Sequence, residues 1–181
     1  MKPPKADECH VRMAEERDYP ELERIYLAHE GESLPPGFSD DFRATIRDPA
    51  VIYLVATVDD RVVGGGGIGE YQPGVRAMLT FGVVEPAECR KGYGTAIMLS
   101  RLLFVDPGIE GCQILLEATG WSADFFNRLG FSWYWHEEDG AGNVFLSGSH
   151  MVYPRDGDVF RRILDDGRVS LGFAPDRPSA S

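Results

Sequence analysis

The chain has 181 residues, a net charge of −11 and 43% apolar residues, which suits a single domain with an ordinary buried core. No apolar run nears the roughly 18 residues of a membrane span, no basic stripe suits nucleic acid, and the polar N-terminus has no signal-peptide core. Cys9, Cys89 and Cys112 are too far apart for a disulfide framework or a zinc site, so a cytoplasmic protein with no metal and no nucleic-acid or membrane partner is expected.

Taken in order, "HVRMA" (10–14) alternates like a short strand. Asp18 then caps a helix with Pro20 in its first turn and Leu22, Ile25 and Tyr26 on one face. A loop rich in Gly, Pro and acids, "HEGESLPPGFSDD", leads to a second helix over 41–47 capped by Ser39 or Asp40 and stopped at Asp48-Pro49. "VIYLVATV" (51–58), "RVVGGGGIGEY" (61–71) and 75–84 read as an antiparallel meander. Gly64 to Gly67 weaken the middle strand, as a bulge or as a floor without side chains.

The pattern then changes. Residues 92–104 form a helix with an apolar stripe of Ala96, Ile97, Leu99, Leu102 and Leu103. "QILLEA" (113–118) is a strand, so the helix is a parallel crossover. A short helix over 122–129 stops at Gly130, and "FSWYWH" and "NVFLSGSHMVY" are two further strands. After Pro154, "DVFRRILDD" reads as a helix, "RVSLGF" as a short strand, and the last eight residues as disordered. The whole is an α/β (α+β) layer structure on a mixed sheet.

"AECRKGYGTA" (87–96) puts two cations and two glycines just before a helix. A helix N-terminus offers unpaired N–H groups and partial positive charge, and glycines let a ligand come close. Together they make an anion site. The spelling is not that of a P-loop, and Ile97 stands where a dinucleotide-binding turn has its third glycine.

"VVEPAECRKGYGTAIMLSRLL" resembles the acyl-coenzyme A segment of the GCN5-related N-acetyltransferase (GNAT) family, V-x-P-x-x-[RQ]-x-x-G-x-[GA], at Val84, Pro86, Gly92 and Gly94. Cys89 departs from the usual Arg or Gln, with Arg90 and Lys91 beside it. "LEATGWSADFFNRLGF" is similar to a second segment of the family at Leu116, Ala118, Thr119, Leu129, Gly130 and Phe131. The resemblance covers residues 10–154. It leaves 1–9 and 155–181 as N- and C-terminal extensions, so the coenzyme site should stand without the latter.

The resemblance implies a mostly antiparallel sheet with a central parallel strand pair and helices on both faces. It implies acetyl-CoA as donor, with the pyrophosphate cradled by the amides of Arg90, Lys91, Gly92, Tyr93, Gly94, Thr95 and Ala96. The backbone of Gly82 and Val84 would pair with pantetheine where the fourth and fifth strands splay. Phe126 stands where the family often has a Tyr that protonates the leaving thiolate, and so would only pack beside the pantetheine. Tyr93 and Tyr134 are substitutes by proximity alone.

The fourth strand carries Thr80 but no carboxylate, so Glu117 is the first candidate for the base, suited to take a proton if buried in its apolar strand. His150 is the second. The two loops that wall the acceptor in the family carry Glu30, Glu32, Asp40, Asp41, Glu137, Glu138 and Asp139 here, which implies a cationic amine acceptor. Each residue has a plainer reading: solvated charge for Arg90 and Lys91, solvated loops for the acids, an edge acid for Glu117. A non-catalytic acyl-CoA sensor and an acyl-CoA decarboxylase on the same fold are the rival functions. A homodimer is left open.

Overall fold

The computed structural model describes residues 8–174. Strand β1 (His10–Met13) is followed by helices α1 (Tyr19–Leu27) and α2 (Ser39–Arg47), and by strands β2 (Ile52–Val58), β3 (Arg61–Gln72) and β4 (Arg76–Val84). Helix α3 (Tyr93–Phe104), strand β5 (Cys112–Thr119) and helix α4 (Ala123–Arg128) come next. Strands β6 (Ser132–Glu138) and β7 (Val144–Val152), helix α5 (Asp156–Asp166) and strand β8 (Ser170–Leu171) complete the chain. All eight strands form one sheet in the order β6-β7-β5-β4-β3-β2-β1-β8. Only β4–β5 and β1–β8 pair in parallel, which is the mixed sheet expected.

Local sequence accounts for much of this. Asp59 and Asp60 both take left-handed φ, 49° and 61°, as a tight hairpin turn between right-twisted strands requires. The side chains of β5 alternate. Cys112, Ile114, Leu116 and Ala118 are buried in the core beneath α3, while Gln113 and Glu117 are exposed on the other face. A second core lies under α1 and α2, built on Leu22, Ile25, Tyr26, Phe42 and Tyr53.

The glycine run faces a bulge in β4, where Gly66 alone opposes two residues, and none of the four glycines takes a left-handed φ. It is a place of close approach from both faces. A Cβ at Gly64 would stand 2.5 Å from the Val83 carbonyl oxygen, at Gly65 2.7 Å from the Tyr53 ring, and at Gly66 2.8 Å from the Arg101 guanidinium carbon.

Two helix starts differ from expectation. Asp18 does not cap α1 with its side chain. Its carboxylate accepts the Glu15 N–H at 2.8 Å and so closes the 3-10 turn before the helix. Helix α2 begins at Ser39 with Phe38 at the cap position, so neither Ser39 nor Asp40 caps it.

The segment after Pro154 is tied into the domain. Phe160, Leu164 and Val169 are buried in the same core as α3, and β8 pairs with β1 through His10↔Ser170 and Val11↔Leu171. The expected disordered end and most of the expected N-terminal extension lie outside the described residues. No helix among the described residues is long and apolar enough to cross a membrane.

Candidate active site

The turn before α3 is shaped by two left-handed residues, Arg90 (φ 65°) and Gly92 (φ 101°). Gly92 can hold such a φ freely; Arg90 does so at some cost, as residues at ligand sites often do. The first bond inside the helix runs from the Ala96 N–H to the Gly92 carbonyl at 3.0 Å, so the Ala96 amide is already used. The amides of Gly94 and Thr95 precede it and have no carbonyl within the helix. A Cβ at Gly94 would meet Val84 at 3.7 Å and Phe125 at 3.8 Å, so packing alone does not demand glycine there.

The two cations beside this turn differ. Lys91 pairs with Glu88 at 2.7 Å, and Arg61 pairs with the other oxygen of Glu88 at 2.9 Å. Lys91 and then Arg61 hold that carboxyl below its ordinary range. Arg90 is exposed and has no ion-pair partner among the described residues. Tyr93 is buried in the core at 6% exposure.

Strands β4 and β5 pair only as far as Leu79↔Leu116 and then part. Beyond that point neither β4, from Thr80 to Val84, nor β5, from Glu117 to Thr119, has a strand partner on this side. The β4 edge is bulged. Gly65 and Gly67 face Val83 and Thr80, so Phe81 and Gly82 together oppose the single Gly66. Phe81 has φ 38°, and its carbonyl accepts the Tyr53 hydroxyl at 2.7 Å. Gly82 is exposed. Sequence reasoning missed Tyr53, which reads as an ordinary strand aromatic.

A strap crosses the splay on the α1 side. The His29 Nε2–H donates to the Val84 carbonyl at 2.6 Å, and Nδ1 lies 2.8 Å from the Ser33 hydroxyl. The Ser33 carbonyl accepts the Thr119 hydroxyl at 3.2 Å. Residues 29–33 thus join β4 to β5 across the gap, and the Val84 carbonyl is engaged by His29. On the α3 side Phe125 lies against Gly94, while Phe126 packs edge-on with Phe125, Phe131 and Trp133.

One face of the sheet gathers the polar candidates. Glu117 stands opposite Ser147, Thr119 opposite Phe145, Trp135 opposite Ser147, and Glu137 opposite Phe145. Directly opposed residues share a face. The Phe145 ring meets Phe38 of the α1–α2 loop at 6.3 Å between centroids, so this face is the one the strap covers. Glu117 is exposed rather than buried in its strand. His150 is on the opposite face, opposite Ile114, with Nδ1 3.1 Å from the Gly130 carbonyl and its ring against Phe131. It is a packed sheet histidine. Tyr134 is exposed at the β6 bulge.

The seven loop carboxylates are not equivalent. Glu30 accepts the Gly37 N–H at 2.9 Å, Asp40 pairs with Arg43 at 2.8 Å, and Asp139 accepts the Ala141 and Asn143 amides. Glu32, Asp41, Glu137 and Glu138 have no hydrogen-bond or ion-pair partner among the described residues and are exposed. Among the described residues no group of three or more His, Cys, Asp or Glu side chains could hold a metal ion.

The sequence pattern of the acetyltransferase (GNAT) family matches residues 19–131. That is well over half the chain and spans the turn, the bulge and the splay. The chain belongs to the GNAT acetyltransferase family. It is by that membership an acetyl-CoA-dependent N-acetyltransferase.

Solved GNAT structures share the fold at low identity. An aminoglycoside 6'-N-acetyltransferase complexed with coenzyme A superposes with a TM-score of 0.62 at 13% identity, over 78% of this chain and 96% of that one. The ribosomal-protein-S18-alanine N-acetyltransferase of Escherichia coli gives 0.61 at 14% identity, over 80% and 94%. A mutant of the spermidine N-acetyltransferase SpeG of Vibrio cholerae gives 0.58 at 12% identity, over 80% and 94%. No functionally curated protein matches by sequence.

Proposed function

We propose that this GNAT protein transfers the acetyl group of acetyl-CoA to a primary amine that carries a further positive charge, a cationic small molecule or a lysine-like side chain. The observation that carries the reading is the two-ended splay. The α3 N-terminus with the unpaired Arg90 lies at one end, and a face bearing Glu117, Trp135 and Glu137 lies at the other. The pyrophosphate binds the amides of the 90–95 turn, assisted by Arg90. Lys91 contributes charge only when it leaves Glu88. Pantetheine lies between β4 and β5, bonded to the backbone at Gly82.

The acceptor enters over the open sheet face. Trp135 and the Phe38–Phe145 pair offer ring faces to its cationic part, and Glu137, with Glu30 and Glu32 of the loop, gives the opposing charge. The neutral amine attacks the thioester carbon, its proton passing to Glu117 directly or through one water. Backbone amides at the bulge face the developing oxyanion. Structures of enzymes that act on aminoglycosides and spermidine, superposing on this chain, support the class of acceptor.

The test pairs calorimetry with an amine panel. Gly94→Glu puts a carboxylate where the pyrophosphate should lie, and CoA affinity should fall by about 100-fold in a folded variant. Unchanged affinity removes the site. Polyamines, aminoglycosides and lysine peptides should be acetylated in preference to neutral amines. Tight CoA binding with no turnover on any amine favours the sensor reading instead.

A further inference from the structure

Arg101, on the sheet-facing side of α3, is 4% exposed and is the one buried basic side chain among the described residues. No carboxylate pairs with it. Nη1 reaches the Gly67 carbonyl only at 3.4 Å, Nη2 touches the Met98 sulfur at 3.4 Å, and Nε has no partner. Burial lowers its pKa to about 10, with Tyr53 opposing the change, so it stays protonated at neutral pH. Packing does not account for it, because an apolar side chain of similar length would fill the space without the cost of an unpaired buried cation.

Its position is more telling. A Cβ at Gly66 would stand 2.8 Å from Cζ, and one at Gly82 would stand 3.2 Å from Nη2. The guanidinium therefore lies against the β4 bulge, one backbone layer beneath exposed Gly82, where β4 and β5 have parted. Little there neutralises it. The titratable group that acts on it is Tyr53 of β2, on the other face of the sheet, whose phenol burial keeps protonated and which donates to the Phe81 carbonyl. The opposing stretches of β3 and β4 bring Gly66, Gly67, Thr80, Phe81 and Gly82. Against α3, helix α5 brings Phe160 and Leu164, and β1 brings Val11. Phe125 and Phe126, on the α3 side of the splay, have no proton to give.

We propose that Arg101 is an electrostatic positioning residue for the transfer, its unscreened charge stabilising the coenzyme A thiolate as it leaves at the Gly82 bulge. This rests on the donor-site reading above. In the step, the amine lone pair forms the C–N bond, the C–S bond breaks with its electron pair going to sulfur, and the ammonium proton goes to the base. Coenzyme A departs as the thiolate and takes a proton from solvent afterwards. The same field acts on bound coenzyme A before any reaction, favouring its thiolate over its thiol.

The experiment titrates the thiol of coenzyme A bound to the native protein, followed by thiolate absorbance in the ultraviolet. Its pKa should lie about one unit below that of free coenzyme A, as expected for a cation several ångström away in protein surroundings. Arg101→Met should return it to the free value and lower kcat about tenfold with KM for acetyl-CoA little changed, while Arg101→Lys keeps the shift. A merely structural arginine would alter stability and leave the thiol where it was. An unshifted thiol on the native protein overturns the inference without any variant, and so does a shift that survives Arg101→Met. Failure of the native protein to bind coenzyme A overturns the donor-site reading and this inference with it; binding with an unshifted thiol overturns this inference alone.

Discussion

Asp18 shows how much one side chain can hold. It is 4% exposed, takes a two-pronged contact from Arg12 at 2.6 and 2.9 Å, and accepts the Glu15 N–H. Burial alone would raise its pKa, but Arg12, the Glu15 amide and Arg17 outweigh it and hold the carboxyl below its ordinary value. A depressed folded pKa adds stability that is fully present above the unfolded value of about 3.9. That stability is lost as pH falls through the folded value. Denaturant titrations at pH 7 and pH 2.5 should therefore differ more for the native protein than for Asp18→Asn. The variant should itself lose about 3 kcal/mol at neutral pH by leaving Arg12 without its partner. At Gly64 the limit is steric. The new methyl of Gly64→Ala meets a backbone oxygen that cannot swing away, so about 3 kcal/mol of stability should go. Gly140→Ala has nothing within 4 Å and should change stability by about 0.5 kcal/mol or less in the same melts.

Among the elements, α5 illustrates how packing joins what sequence sets apart. Its composition and the end of the resemblance mark 155–181 as an extension. Yet Phe160, Leu164 and Val169 complete the core over α3, the helix that follows the proposed phosphate turn and carries Arg101. Fully burying an apolar side chain is worth roughly 1.5–3 kcal/mol. Three such losses approach the whole stability of a small domain. Truncation after Pro154 should therefore abolish cooperative thermal unfolding or lower Tm by more than about 10 °C. An unchanged melt would mean that α5 only rests on the surface. The resemblance left the coenzyme site independent of this segment because both motif segments lie upstream of it; the dependence predicted here comes through α3.

At the scale of the molecule, the charge of −11 matters where it is unpaired. Several loop acids are spent on arginines and turns, and Glu138, opposite Val144, points to the other face of the sheet, so the field over the proposed acceptor face comes from Glu30, Glu32 and Glu137 with Glu117. Exposed charges attract weakly and are screened by salt within about 10 Å at 0.1 M. Raising salt from about 0.05 to 0.5 M should raise KM for a cationic acceptor several-fold and that for acetyl-CoA less. Initial rates at the two salt concentrations test this. Equal KM values would remove the acidic face from acceptor recognition. Activity should also rise with pH until the amine or its base is fully deprotonated.

What the sequence determined by itself is what short-range chemistry dictates. The Asp59-Asp60 hairpin and the crossover helix follow from neighbours a few residues apart. The motif spacing around Gly92, Gly94, Gly130 and Phe131 was legible for the same reason. Only the tertiary structure decided what depends on distant partners. His10 finds Ser170 across 160 residues, and His29 finds the Val84 carbonyl across 55, and no periodicity encodes either meeting. Gly64 to Gly67 weaken a strand on paper, but in the fold the Val83 carbonyl, Tyr53 and Arg101 occupy the space that side chains would have taken. Nothing in the sequence singles out Arg101, because burial is set by what packs over a residue and not by the residue.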